Sequence, residues 1–163
     1  MTKILLSLHV LAAIVAIGPV TVAASMFPPA ARRAVVPVPV PAGAGGGTDA
    51  GDVGTVRLLH RICRVYAGLG IAVPVLGFAT AAAMGVLGDA WLITSIALTA
   101  AAAGLLIAFV LPRQEELLEQ LTDRQPVERA RTARLAMFTG LFNLLWATVT
   151  VLMIVRPGST TGA

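Results

Sequence analysis

Four long apolar runs, each bounded by polar or turn-forming residues, make up most of this chain. From Ile4 to Met26 no charged residue interrupts the first. The second is entered through Arg57-Leu-Leu-His-Arg-Ile-Cys-Arg-Val-Tyr66 and continues to Leu87. The third runs from Ala90 to Leu111 and the fourth from about 131 to Val155. None shows the alternation of a half-buried strand. At 1.5 Å per residue each is long enough, as a helix, to cross a hydrocarbon core of about 30 Å. The pattern predicts transmembrane helices over 4–26, 57–87, 90–111 and 131–155. The fold class is therefore all-α, a polytopic four-transmembrane-helix bundle made of two helical hairpins in one membrane domain, 1–163. The first run exceeds the apolar core of a cleaved signal peptide and has only Lys3 before it, so a retained helix is expected.

The intervening stretches are unequal. Residues 27–55 hold Pro28-Pro29, Val-Pro-Val-Pro-Val-Pro at 36–41 and a glycine run from Gly43 to Gly47. They read as extended polyproline followed by flexible coil, a tether between helices. Gly88-Asp89 is a tight turn. Residues 112–130 form a second polar loop: Pro112 ends the third helix, Gln114 to Leu121 adds a helical turn or two, and Pro126 opens the next helix. Arg156-Pro157-Gly158 stops the fourth.

Composition places lipid around this bundle. Hydrophobic residues are 57% of the chain, charged residues 12%, and the mean hydropathy is +0.87. A water-exposed surface needs far more charge. Eleven arginines against one lysine, with abundant alanine, match a high-GC, actinobacterial-like genome. The pI near 10.6 does not imply nucleic acid, because the arginines flank the apolar spans. Ten of them (Arg32, Arg33, Arg57, Arg61, Arg64, Arg113, Arg124, Arg129, Arg131 and Arg134) lie in or beside the two long loops, against Lys3 and Arg156 at the opposite side. By the positive-inside rule both long loops are cytoplasmic, with both termini outside a bacterial inner membrane.

Between lipid-embedded helices, close approach and interhelical hydrogen bonds drive packing. Small residues recur every four: Ala12 and Ala16; Gly77, Ala81 and Gly85; Ala97 and Ala101; Ala100, Gly104 and Ala108; Ala136 and Gly140. Mid-span Asn143 reads as interhelical glue seeking a carbonyl freed by a proline, and Trp91 as an outer aromatic anchor. Pro19 and Pro74 predict helix kinks, freeing the carbonyls of Val15 and Gly70 at nearly the same depth. Such kinks help helices curve round one another, or frame a midplane pocket in a small-solute carrier.

Chemistry-bearing residues are few. No charge lies mid-span, which counts against a pump or ion-coupled transporter. Paired carboxylates, a Ser-His-Asp order and a phosphate-binding loop are all missing, so an enzyme is not expected. His9 shares its expected depth with Met84 and Met153, and imidazole with thioethers suits copper(I). His9 and His60 should be about 25 Å apart, too far to hold one haem within a chain, although a haem between copies or with a partner's ligand stays open. Arg57, His60, Arg61 and Arg64 cluster at the inner interface as a contact for anionic lipid or an acidic partner, or as a topological anchor alone. Cys63 reads as a small packing residue.

Leu8-His9-Val-Leu-Ala-Ala13 with Gly18, Leu59-His60-Arg61 and the ending Leu152-Met-Ile-Val-Arg-Pro157 resemble a family of bacterial four-helix integral membrane proteins of unknown function, distantly similar to the copper-resistance D membrane domain. That resemblance implies the four-helix topology, and makes His9 the counterpart of the family's early helix histidine. The expected role is an accessory or assembly subunit, packed against itself as a homo-oligomer or against a larger membrane complex. The alternatives are a copper(I) or haem binder centred on His9 and a small-solute carrier.

Overall fold

The computed structural model describes residues 2–35 and 48–158. Its elements are α1 (Thr2–Val35), α2 (Thr48–Leu69), α3 (Ala72–Met84), α4 (Ala90–Leu105), a π-helical turn (Leu106–Val110), α5 (Leu111–Thr122) and α6 (Arg129–Val155). Together they make four helices long and apolar enough to cross a membrane: Thr2–Ala34, Asp52–Met84, Ala90–Thr122 and Arg129–Val155. The fold is an all-α four-helix bundle. Within it α1 packs on α2 and α3, and α4 packs on α6. Contacts of α1 with α6 and of α2 with α5 join these two hairpins.

Helix extends well beyond the apolar runs. Pro28 and Pro29 lie inside α1, not in an extended loop. A proline inside a helix removes a donor and crowds the carbonyl four residues earlier, at about 3 kcal/mol. Tertiary packing supplies the compensation. Ala24, Phe27 and Ala31 share one face of α1 and are fully buried, in one cluster with Val56, Leu59 and Cys63 of α2. Two faces spaced i, i+3, i+7 thus pack together. The Pro-Val repeat at 36–41 and the run Gly43 to Gly47 lie outside the described residues.

Pro112 likewise fails to end the third span. The π turn immediately precedes α5, in which Pro112 is the second residue. A π turn widens the helix where a proline disrupts the regular ladder. The polar loop predicted at 112–130 is accordingly helical through Thr122, with Leu117 and Leu121 buried in the core.

The second span is not one unbroken helix. It turns at Gly70-Ile71, and Pro74 falls in the first turn of α3. The carbonyl of Gly70 is not free, since the amide of Val73 donates to it at 3.1 Å. Gly85 ends α3 at φ 71°, a left-handed conformation that suits glycine.

The main core lies in the arginine-rich half, where Phe27, Cys63, Ala102, Leu106, Val110, Leu135 and Phe142 are buried together. At the other end a smaller cluster of Ala81, Trp91 and Leu92 takes Met153 against it. Trp91 is buried there, with its Nε1–H donating to Asp89 at 3.0 Å. Outside the core, large apolar side chains such as Ile4, Ile71 and Ile154 are two-thirds exposed or more. Such a surface is compatible with a multi-pass membrane protein.

Candidate functional site

His9 projects from α1 against α3. Its Nδ1 lies 3.0 Å from the carbonyl oxygen of Val73, and its ring rests on Gly77, where an added Cβ would come within 2.8 Å of Cε1. A carbonyl only accepts, so Nδ1 carries a proton in this contact, which leaves Nε2 as the nitrogen able to bear a lone pair. Met84 lies two turns beyond Gly77 on the same face of α3, a rise of about 10 Å. Met153 packs on the Ala81, Trp91 and Leu92 cluster.

The same contact sets the level of the prolines. Val73 adjoins Pro74 and meets His9, whereas Pro19 is ten residues further along α1, about 15 Å away in depth. Pro19 and Pro74 are not level, so they do not jointly frame a midplane pocket. Counting residues inward from helix ends misjudged this, because α1 and α2 extend far beyond the apolar runs on which the count was based.

His60 separates from its neighbouring arginines. It is 9% exposed, while Arg57, Arg61 and Arg64 are exposed. Its Nδ1 donates to Oε1 of Gln114 at 3.3 Å, and Nε2 of Gln114 donates to Sγ of Cys63 at 3.6 Å. Gln114 and Cys63 are both fully buried. This chain of polar groups ties α2 to α5 inside the bundle, and it removes His60 from any headgroup contact with the three arginines. Along α2 and α3, His60 and Val73 are thirteen residues apart, roughly 20 Å, so the two histidines stand at separate levels as expected.

Two hollows flank α6. One, of about 220 Å³, lies between α1 and α6, lined by Ser25, Pro28, Arg32, Thr139, Gly140 and Asn143 among others. The Nδ2 of Asn143 donates to Ser25 Oγ at 3.0 Å, so Asn143 is interhelical glue, with a hydroxyl in place of the expected carbonyl as acceptor. Arg32 Nε donates to Thr132 Oγ1 at 3.2 Å. By contrast, Oγ1 of Thr139 and Oδ1 of Asn143 are buried without a hydrogen-bond partner. The other hollow, of about 270 Å³, lies between α5 and the start of α6.

Sequence reasoning missed Gln114, Thr139 and Arg113. Gln114 and Arg113 stood in a supposed surface loop, and Thr139 gave no signal in a span where threonines ordinarily bond to their own backbone. Among the described residues no group of three or more His, Cys, Asp or Glu side chains is placed to hold a metal. Comparison with protein-family models, with curated proteins and with solved structures found no match to this chain.

Proposed function

We propose that this chain is a non-catalytic assembly or interaction subunit of a bacterial inner membrane, and that its α1–α6 face receives a transmembrane helix of a second copy of the chain. The unpartnered polar atoms in the hollow carry this reading. The hydroxyls of Thr80, Thr94, Thr148 and Thr150 each bond back to the carbonyl four residues earlier. Thr139 is 2% exposed and makes no such bond. A buried polar atom left unpaired costs about 1–3 kcal/mol, and a helix docking here offers it a partner. Ala136 and Gly140 beside it permit close backbone approach. An amide is both donor and acceptor, so Asn143 side chains from two copies are mutually complementary across a twofold axis. The arginine distribution supports cytoplasmic long connections with both termini outside.

Crosslinking in native membranes and native mass spectrometry in mild detergent test this. The wild type should run as a dimer and Gly140→Leu as a folded monomer. A wild type that is monomeric and partnerless throughout overturns the proposal. Copurification of a different membrane protein in place of the second copy keeps the subunit role and overturns the choice of partner.

His9 supports a second reading. With Nδ1 held by Val73, Nε2 is oriented as a haem or copper(I) ligand in the way outer-shell carbonyls orient metal-binding imidazoles; the remaining ligands come from another chain. A Soret band or stoichiometric copper in natively purified protein, lost in His9→Ala, supports this reading. Neither signal in the wild type removes it.

A further inference from the structure

We propose that the hollow between α5 and α6 binds the phosphate of an anionic phospholipid. Arg113, Arg131 and Arg134 line it, together with Glu116, Leu117 and Glu128. Three guanidiniums against two carboxylates leave it positive. One of those carboxylates is engaged already, since Glu128 lies 3.7 Å from Arg131 Nε, the one ion pair within 4 Å among the described residues. Arg113 and Arg134 thus have no carboxylate at that distance.

Arg113 is held in place by aromatic rings. Its guanidinium carbon is 4.4 Å from the centroid of Phe138 and 5.4 Å from that of Phe109. Those two rings stack at 5.0 Å and 16°. The stacking fixes the planar cation instead of letting it snorkel outward. Its Nη1 is buried with no hydrogen-bond partner. A buried charged donor without an acceptor is costly, and a phosphate oxygen is the acceptor its fork geometry matches best. The first turn of α6, whose preceding Glu128 forms no side-chain cap, adds amide dipoles of the same sign.

The position favours lipid over a soluble ion. The hollow caps the ends of two transmembrane spans, and one turn inward Phe109 is 41% exposed. It offers apolar surface for acyl chains below a headgroup held by the arginines. Basic pockets between spans at the cytoplasmic interface are suited to such headgroups. This inference does not depend on self-association at the α1–α6 face.

Native mass spectrometry of the full chain in detergent, titrated separately with phosphatidylglycerol, phosphatidylcholine and inorganic phosphate, tests it. Phosphatidylglycerol should be retained selectively over phosphatidylcholine. Arg134→Gln and Arg113→Gln should each weaken its retention roughly fivefold, the effect expected of one basic residue near the headgroups. Lys3→Gln, an exposed cation at the opposite end of the bundle, should leave it unchanged. Arg134 is exposed, so its variant remains informative if Arg113→Gln does not fold. Equal retention of phosphatidylcholine, or undiminished phosphatidylglycerol in Arg134→Gln, overturns the proposal. Displacement of the lipid by inorganic phosphate would assign the hollow to a soluble anion and overturn the lipid source.

Discussion

The imidazole of His9 fills the space that a side chain at Gly77 would need, and its Nδ1 bonds the Val73 carbonyl one turn earlier on the same helix. One residue of α1 therefore sets both the spacing and the level of α3. Gly77 was read from sequence as one member of a stripe of small residues; what it accommodates is one ring.

Gly77→Ala should consequently change sign with its background. Alone it places a methyl 2.8 Å from Cε1 of His9, an overpacking that costs about 1–3 kcal/mol. In a His9→Ala background the clash is gone, and the higher helix propensity of alanine, worth up to about 1 kcal/mol, should prevail. Thermal unfolding in detergent of the two single variants and the double variant measures the coupling. Additive effects would show that the ring and Gly77 do not interact.

Gln114 bridges His60 and Cys63. Gln114→Leu leaves the imidazole buried beside an apolar side chain, at an expected cost of about 1–3 kcal/mol. His60→Leu in the same chain should recover part of the loss, since replacing both partners removes the orphaned group. The shift in unfolding midpoint of the single and double variants decides this; strict additivity would show no network.

Cys63 is fully buried. In intact membranes it should resist even a membrane-permeant maleimide, and should react within minutes once the protein is denatured. Mass spectrometry of the labelled chain reads the outcome directly. Rapid labelling in the native membrane would place Cys63 on a surface, contrary to its burial on α2 in one core with residues of α1 and beside Gln114 of α5.

Asn143→Leu removes the bond to Ser25 Oγ. Interhelical hydrogen bonds of this kind contribute about 0.6 kcal/mol on average and at most about 1.7 in membranes. The monomer should therefore be only mildly destabilised, while its crosslinking yield falls if Asn143 also meets a second copy. A large loss of monomer stability would mean that the Ser25 bond carries more than this class of contact ordinarily does.

The sequence by itself determined the number of spans, the helical class and the segregation of arginines, because each depends only on local hydropathy, length and charge. It also located Asn143 as a polar contact, since an amide in a hydrocarbon span must find a partner. It misplaced the helix ends. Pro28, Pro29 and Pro112 are strong local breakers, and only the packing of Phe27 and Ala31 against α2, with the π turn before Pro112, overrides them. It could not distinguish the faces of α4 either. Ser95, Ala102 and Leu106 are buried, whereas Ala100, Gly104 and Ala108 are exposed, and in lipid both faces are equally apolar. Which residues meet across helices was decided by tertiary structure alone: His9 on Gly77, His60 on Gln114, Arg113 on two phenylalanines. Those meetings depend on the relative rotation and depth of helices, and a one-dimensional hydropathy pattern carries neither.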